Sequence, residues 1–156
     1  FFMKKKLIAV LVLALVVSTV SVFAFGIGIQ GGWDKNLPKS GNVAITFKVD
    51  KSPLVFAASF NPPAGALGLT GDYWISNANI AGPLNYYFGV GFGAAIFLGD
   101  SVSVNGAVRA PIGLNAFFAD GLIEPYVQAV PQLILPIPSF ALDFDISVNA
   151  GIRFWF

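Results

Sequence analysis

The sequence predicts an all-β fold, an eight-stranded antiparallel up-and-down transmembrane β-barrel preceded by a cleavable signal peptide. Three observations carry that reading. Apolar and polar residues alternate through successive short segments, and a period of two is the signature of a strand. The chain is 56% hydrophobic and only 11% charged, whereas a soluble domain carries about 25% charged residues. Beyond the N-terminal region there is no apolar run of the roughly 20 residues a membrane helix needs. High hydrophobicity without spanning helices leaves a membrane barrel or an unusually apolar soluble β-protein.

The 156 residues suffice for one domain. Met3-Lys4-Lys5-Lys6 is a basic start, Leu7 to Val17 an apolar core, and Val22-Phe23-Ala24 a small-residue cleavage pattern. This predicts a signal peptide over 1–24 and a barrel domain over 25–156. An uncleaved anchor helix is the alternative. Phe1 and Phe2 precede the expected start at Met3. Without Lys4, Lys5 and Lys6, six basic and eight acidic residues remain, a net charge of about −2. No basic patch asks for nucleic acid. With no cysteine, neither a lipoprotein anchor nor a disulfide is available to this chain.

Eight segments follow, separated by turn chemistry. The first, Phe25 to about Trp33, sets Phe25, Ile27, Ile29 and Trp33 on one face. Asp34 to Asn42 reads as a loop. The second, Val43 to Val49, opposes Ile45 and Phe47 to Ala44, Thr46 and Lys48; Asp50-Lys51-Ser52-Pro53 turns the chain. The third spans Leu54 to Phe60 and breaks at Asn61–Gly65. The fourth runs from Ala66 to Ile75, with Ser76 to Pro83 as its connection. The fifth, Leu84 to Leu98, places Gly89, Gly91 and Gly93 on the polar face, where they ease curvature or make room for large inward side chains. The sixth spans Val102 to Leu114. The seventh spans Leu122 to Leu135, although Pro125 and Pro131 each remove a ladder donor. The eighth alternates from Phe140 to Phe156, with Phe144, Ile146 and Phe154 opposed to Asp143, Asp145 and Arg153.

A strand of about 9–11 residues crosses a bilayer. An open sheet in lipid would leave edge groups unpaired, so the first strand is expected to close on the eighth. With both ends periplasmic, Lys48, Asp72, Arg109, Glu124 and Arg153 point inward in the periplasmic half and form a candidate lumen charge cluster. Glu124 and Asp72 are the candidate partners of Arg153. Pairing tolerates charges that isolation would not. A conducting or proton-handling role is the rival reading of those charges. Asp143 and Asp145 are expected as solvated carboxylates at the outer mouth. Tyr73, Tyr86, Phe154 and Phe156 fall in one aromatic girdle; Trp33, Phe60 and Phe140 fall in the other.

The chain has no histidine and no cysteine, so Ser-His triads, thiol nucleophiles and His-metal sites are excluded. No catalytic residue, metal site or cofactor is expected. Asp143 and Asp145 are the only carboxylate pair offering a cation or acid–base site, and lipid modification is the corresponding enzymatic alternative. A soluble lipocalin-like barrel would invert the pattern, with the apolar face inside.

Several strings carry a narrower likeness: Leu67-Gly68-Leu69-Thr70-Gly71-Asp72-Tyr73-Trp74, Leu84-Asn85-Tyr86-Tyr87-Phe88-Gly89, Arg109-Ala110-Pro111-Ile112-Gly113-Leu114-Asn115 and Arg153-Phe154-Trp155-Phe156. They resemble the small outer-membrane barrel proteins of spirochaetes, a family of unknown function similar to the OmpA/OmpX-type eight-stranded barrels. The likeness covers nearly all of the chain after Ala24. It implies an outer-membrane location, contact with outer-membrane lipid, a monomer, and Phe156 as an assembly signal read by the barrel-assembly machinery. A non-catalytic structural or surface-binding role is the function expected of the chain, with any host or envelope protein ligand unidentified. A narrow channel for small solutes is the alternative. The expected external turns at Pro62–Gly65, Gly99–Ser101 and Pro136–Ser139 are short, which argues against a loop-borne adhesin.

Overall fold

The computed structural model describes residues 24–34, 42–50 and 52–156. The expected leader lies outside the described residues except for Ala24, as does most of the expected Asp34–Asn42 loop. Among the described residues there are nine strands: β1 (Phe25–Asp34), β2 (Asn42–Val49), β3 (Leu54–Asn61), β4 (Ala66–Ala81), β5 (Leu84–Leu98), β6 (Val102–Arg109), β7 (Ile112–Ala116), β8 (Ile123–Ile137) and β9 (Asp143–Trp155). Each pairs antiparallel with its neighbours, and β1 pairs with β9, so the sheet closes on itself. At the seam the Phe156 amide donates to the Phe25 carbonyl at 2.9 Å, and the Phe25 amide donates back at 3.2 Å.

β6 and β7 are one stave of an eight-stave ring. Gly91 faces Arg109 above the break and Phe88 faces Ile112 below it, so the register carries straight through. Pro111 lacks the amide that would keep the two strands as one. Neighbours bridge the gap: the Gly89 amide donates to the Pro111 carbonyl, and the Ala110 amide to the Pro131 carbonyl, both at 2.9 Å. Pro131 lies within β8, which runs unbroken through Pro125 and Pro131. Its missing donor faces the break at Ala110, where no regular partner is demanded.

The alternation sorts side chains as expected of a membrane barrel. Ile29, Phe92 and Leu69 stand 66%, 71% and 67% exposed on the outside. Thr46, Lys48, Asp72, Glu124, Ser147, Asn149 and Arg153 are buried inside. A soluble barrel requires the reverse. Rows of inward residues climb around the ring, because strands in a closed barrel tilt. One row runs Gly26, Lys48, Val55, Asp72, Gly91, Arg109, Gln132, Asp145. It starts near the bottom of β1 and ends above the last β1–β9 pair, Asp34 opposite Ser147. We call the rim where β1 begins and β9 stops the lower rim, and the other the upper rim.

Besides the β6–β7 break, two elements differ from the sequence reading. β4 does not stop at Ile75. It continues to Ala81 and turns tightly through Gly82-Pro83, with Gly82 at φ 53°, a conformation glycine adopts at little cost. A bulge at Ile75 hid this extension. Trp74 faces Gly89 but Ser76 faces Phe88, so inward and outward parity exchange below Trp74. Asn77 and Asn79 thereby become inward residues of a hairpin that read as a polar connection. β9 begins at Asp143, and Phe140 sits at a positive φ of 54° outside any strand. The alternation of Phe140 and Leu142 therefore continues the apolar pattern without the strand.

Ile29 lies midway along β1 on the apolar exterior. Ile29→Arg should destabilise the folded barrel in lipid vesicles by about 2–4 kcal/mol, the cost of a midplane arginine on a lipid-facing strand. Reversible urea unfolding in vesicles measures this, and an unchanged midpoint would show that this face does not meet lipid.

Candidate functional site

The lumen is divided by a layer of long side chains at the height of Trp74. A cavity of about 310 Å3 lies above it, lined by residues including Thr46, Asp72, Arg109, Gln128, Asp145 and Asn149. A second, of about 510 Å3, opens at the lower rim among Lys48, Ser52, Asn77, Phe117, Glu124 and Trp155. Trp74 borders both. Arg153 borders the upper cavity and Glu124 the lower, so their ion pair stands in the partition.

Glu124 is 0% exposed and Arg153 1%. They are register partners on β8 and β9. Arg153 Nη1 donates to Glu124 Oε2 at 2.7 Å. The Trp155 indole N–H donates to the same oxygen at 2.8 Å, and Asn115 Nδ2 donates to Oε1 at 2.8 Å. Three donors converge on one carboxylate, the arrangement that makes a buried charge tolerable. The Arg153 guanidinium also lies 4.8 Å from the centre of the Tyr126 ring and 5.9 Å from that of Trp74, within reach of a cation–π attraction. Trp74 in turn stacks on Tyr87 with centroids 3.9 Å apart.

The other charges join this layer from different staves. Lys48 Nζ donates to the Ser52 carbonyl at 2.8 Å and lies 5.3 Å from the Trp74 ring and 5.6 Å from the Trp155 ring. Arg109 Nε stands 2.8 Å from Asp72 Oδ1, an ion pair rather than an aligned hydrogen bond. Asp72 is therefore the partner of Arg109, and Glu124 alone is the carboxylate bonded to Arg153. The two carboxylates expected at the outer mouth separate. Asp143 is exposed at the start of β9, whereas Asp145 is 1% exposed and accepts a 3.3 Å bond from Gln132 Nε2. It is enclosed rather than solvated, because Gln132 lies opposite it on β8. Phe156 is exposed at the lower rim, its ring 5.7 Å from that of Phe25.

Three contacts across the lumen skip a stave, and in each a glycine occupies the position skipped. Gly91 lies between Asp72 and Arg109, and a Cβ there would collide with the Asp72 carboxylate. Gly113 lies between Tyr87 and Gln128; the Tyr87 hydroxyl donates over it to Gln128 Oε1 at 2.9 Å. Gly151 lies between Tyr126 and Gln30; the Tyr126 hydroxyl donates to Gln30 Oε1 at 3.0 Å. Added Cβ atoms at Gly113 and Gly151 would come within 2.5 Å and 2.6 Å of those tyrosines. The period of two sets Trp74 on the face of Asp72 and Tyr87 on the face of Gly89, but alternation by itself assigns them no task. The available signal was a large inward aromatic beside an inward glycine of the next stave, which becomes visible only once register is known.

Comparison with known proteins places this architecture. No family model matches the chain, and no curated protein matches it by sequence. Among solved structures, a de novo designed transmembrane β-barrel covers 85% of this chain and 95% of its own, at 14% identity and a TM-score of 0.52. The N-terminal β-barrel domain of Pseudomonas aeruginosa OprF covers 85% and 97%, at 13% identity and a TM-score of 0.51. The fold is that of a transmembrane β-barrel.

Three variants test the partition and the packing around it. Glu124→Gln should cost about 3–5 kcal/mol by leaving Arg153 buried without its counter-charge, while Glu124→Leu with Arg153→Met should cost much less. Equal losses in urea unfolding would show that the charges are not coupled. Gly151→Ala should cost about 1–3 kcal/mol through crowding against Tyr126; an unshifted midpoint would remove the spacer role.

Proposed function

We propose that this chain is a non-catalytic integral barrel of a bacterial outer membrane, with a structural or surface-binding role and no steady conducting path. One observation carries the reading: the layer of Arg153, Glu124, Trp74 and Tyr87 separates two cavities that a channel would join. An eight-stave barrel is just wide enough for side chains to fill it, and here the filling is hydrogen-bonded at Glu124 and ring-stacked at Trp74. The apolar exterior supports contact with lipid. The OprF likeness supports an OmpA-like barrel as the nearer class, and the short strings quoted above favour the small spirochaete barrels within it.

In this reading a signal peptide over 1–24 exports the chain, the barrel-assembly machinery inserts it, and it stands as a monomer with the upper rim outward. The Arg153–Glu124 ion pair is satisfied by its neighbours Asn115 and Trp155, which supports a structural reading of it. Reconstitution into planar bilayers should give no steady reproducible conductance. Trp74→Ala with Tyr87→Ala should create an ohmic conductance by removing the stacked pair. Reproducible open-channel currents from the unsubstituted protein would overturn the non-conducting reading in favour of a narrow solute channel.

A further inference from the structure

The walls of the upper cavity carry an unequal share of charge. Asp72 is held by Arg109 at 2.8 Å and Arg153 is held by Glu124 at 2.7 Å. Asp145 remains. It borders the same cavity and is 1% exposed. Its Oδ2 takes one neutral donor, the Gln132 amide, and its Oδ1 has no hydrogen-bond partner among the described residues. A buried carboxylate oxygen without a donor is among the costliest groups a protein can enclose. Such a group calls for an explanation, and a cation from outside the chain is one that the cavity admits.

The surroundings indicate what that is. Among the described residues no group of three or more Asp, Glu, His or Cys side chains converges, so the set of carboxylates that would favour a calcium ion is missing. Around Asp145 stand neutral acceptors, Gln132 and Ser147, and the cavity wall beyond includes Ile134 and Pro136. One enclosed carboxylate, neutral oxygens and an apolar wall suit a primary ammonium on a short hydrocarbon body. An ammonium has three donors, and its apolar part gains by leaving water. We propose that the upper cavity is a binding site for a small primary-amine cation, with Asp145 as its counter-charge. The site lies above the partition, so the inference rests on the barrel geometry and not on whether the lumen conducts.

The full chain, folded in detergent micelles, is titrated at pH 7 with n-butylammonium chloride, n-butanol and calcium chloride, following heat by calorimetry and the fluorescence of Trp74 at the cavity floor. Saturable binding of n-butylammonium, with no saturable response to n-butanol or calcium, is expected. Asp145→Asn should weaken butylammonium binding by at least about tenfold, the loss of one charge-assisted bond, while heat-modifiable gel mobility reports an intact barrel. The comparison of amine with alcohol needs no variant and stands even where Asp145→Asn fails to fold. Equal responses to butanol and butylammonium, binding of calcium in place of the amine, no saturable binding, or an affinity untouched by Asp145→Asn in a folded barrel would each overturn the proposal.

Discussion

Lipid offers no partner to a backbone amide or carbonyl, and that constraint organises this molecule. It requires every stave to be paired on both sides, so β1 must meet β9. It assigns apolar side chains to the outside and leaves the inside as the place for charge. It also explains why the irregularities fall where they do. Proline removes a donor, and at the β6–β7 break Pro111 turns its missing donor toward Gly89 and Pro131 toward Ala110, whose amides donate to the proline carbonyls. The ladder loses a few hydrogen bonds there without losing a residue from the register.

Inside the ring the problem is reversed. The lumen must be filled by polar groups that satisfy one another, and satisfaction requires geometry rather than composition. Glu124 takes donors from Arg153, Trp155 and Asn115, which reach it from β9 and β7. Tyr87 and Tyr126 lie flat across the lumen only because Gly113 and Gly151 leave the intervening positions bare. Packing and hydrogen bonding therefore depend on the same few small residues.

The alternation in the sequence was enough to read the eight staves, the inward direction of Lys48, Asp72, Arg109, Glu124 and Arg153, and the apolar exterior. These follow from parity, which is local. What depends on register was not legible. The assignment of Asp72 to Arg109 requires knowing that Gly91 lies opposite both. The length of β4 was lost at Ile75, where one extra residue exchanges the faces and makes Asn77 and Asn79 look like loop. Phe140 and Leu142 misled in the other direction, since an apolar alternation continued past the point where the backbone leaves the ladder. Asp145 read as solvated because parity gives direction but not enclosure.

The contacts that skip a stave carry a further consequence for assembly. In a flat sheet, strands two apart are separated by about 9–10 Å and the side chains of one face stand parallel. Curling the sheet inclines those side chains toward one another, so Tyr87 and Gln128, or Asp72 and Arg109, meet most readily in the ring. The lumen network therefore strengthens with curvature, and its stabilisation favours closure.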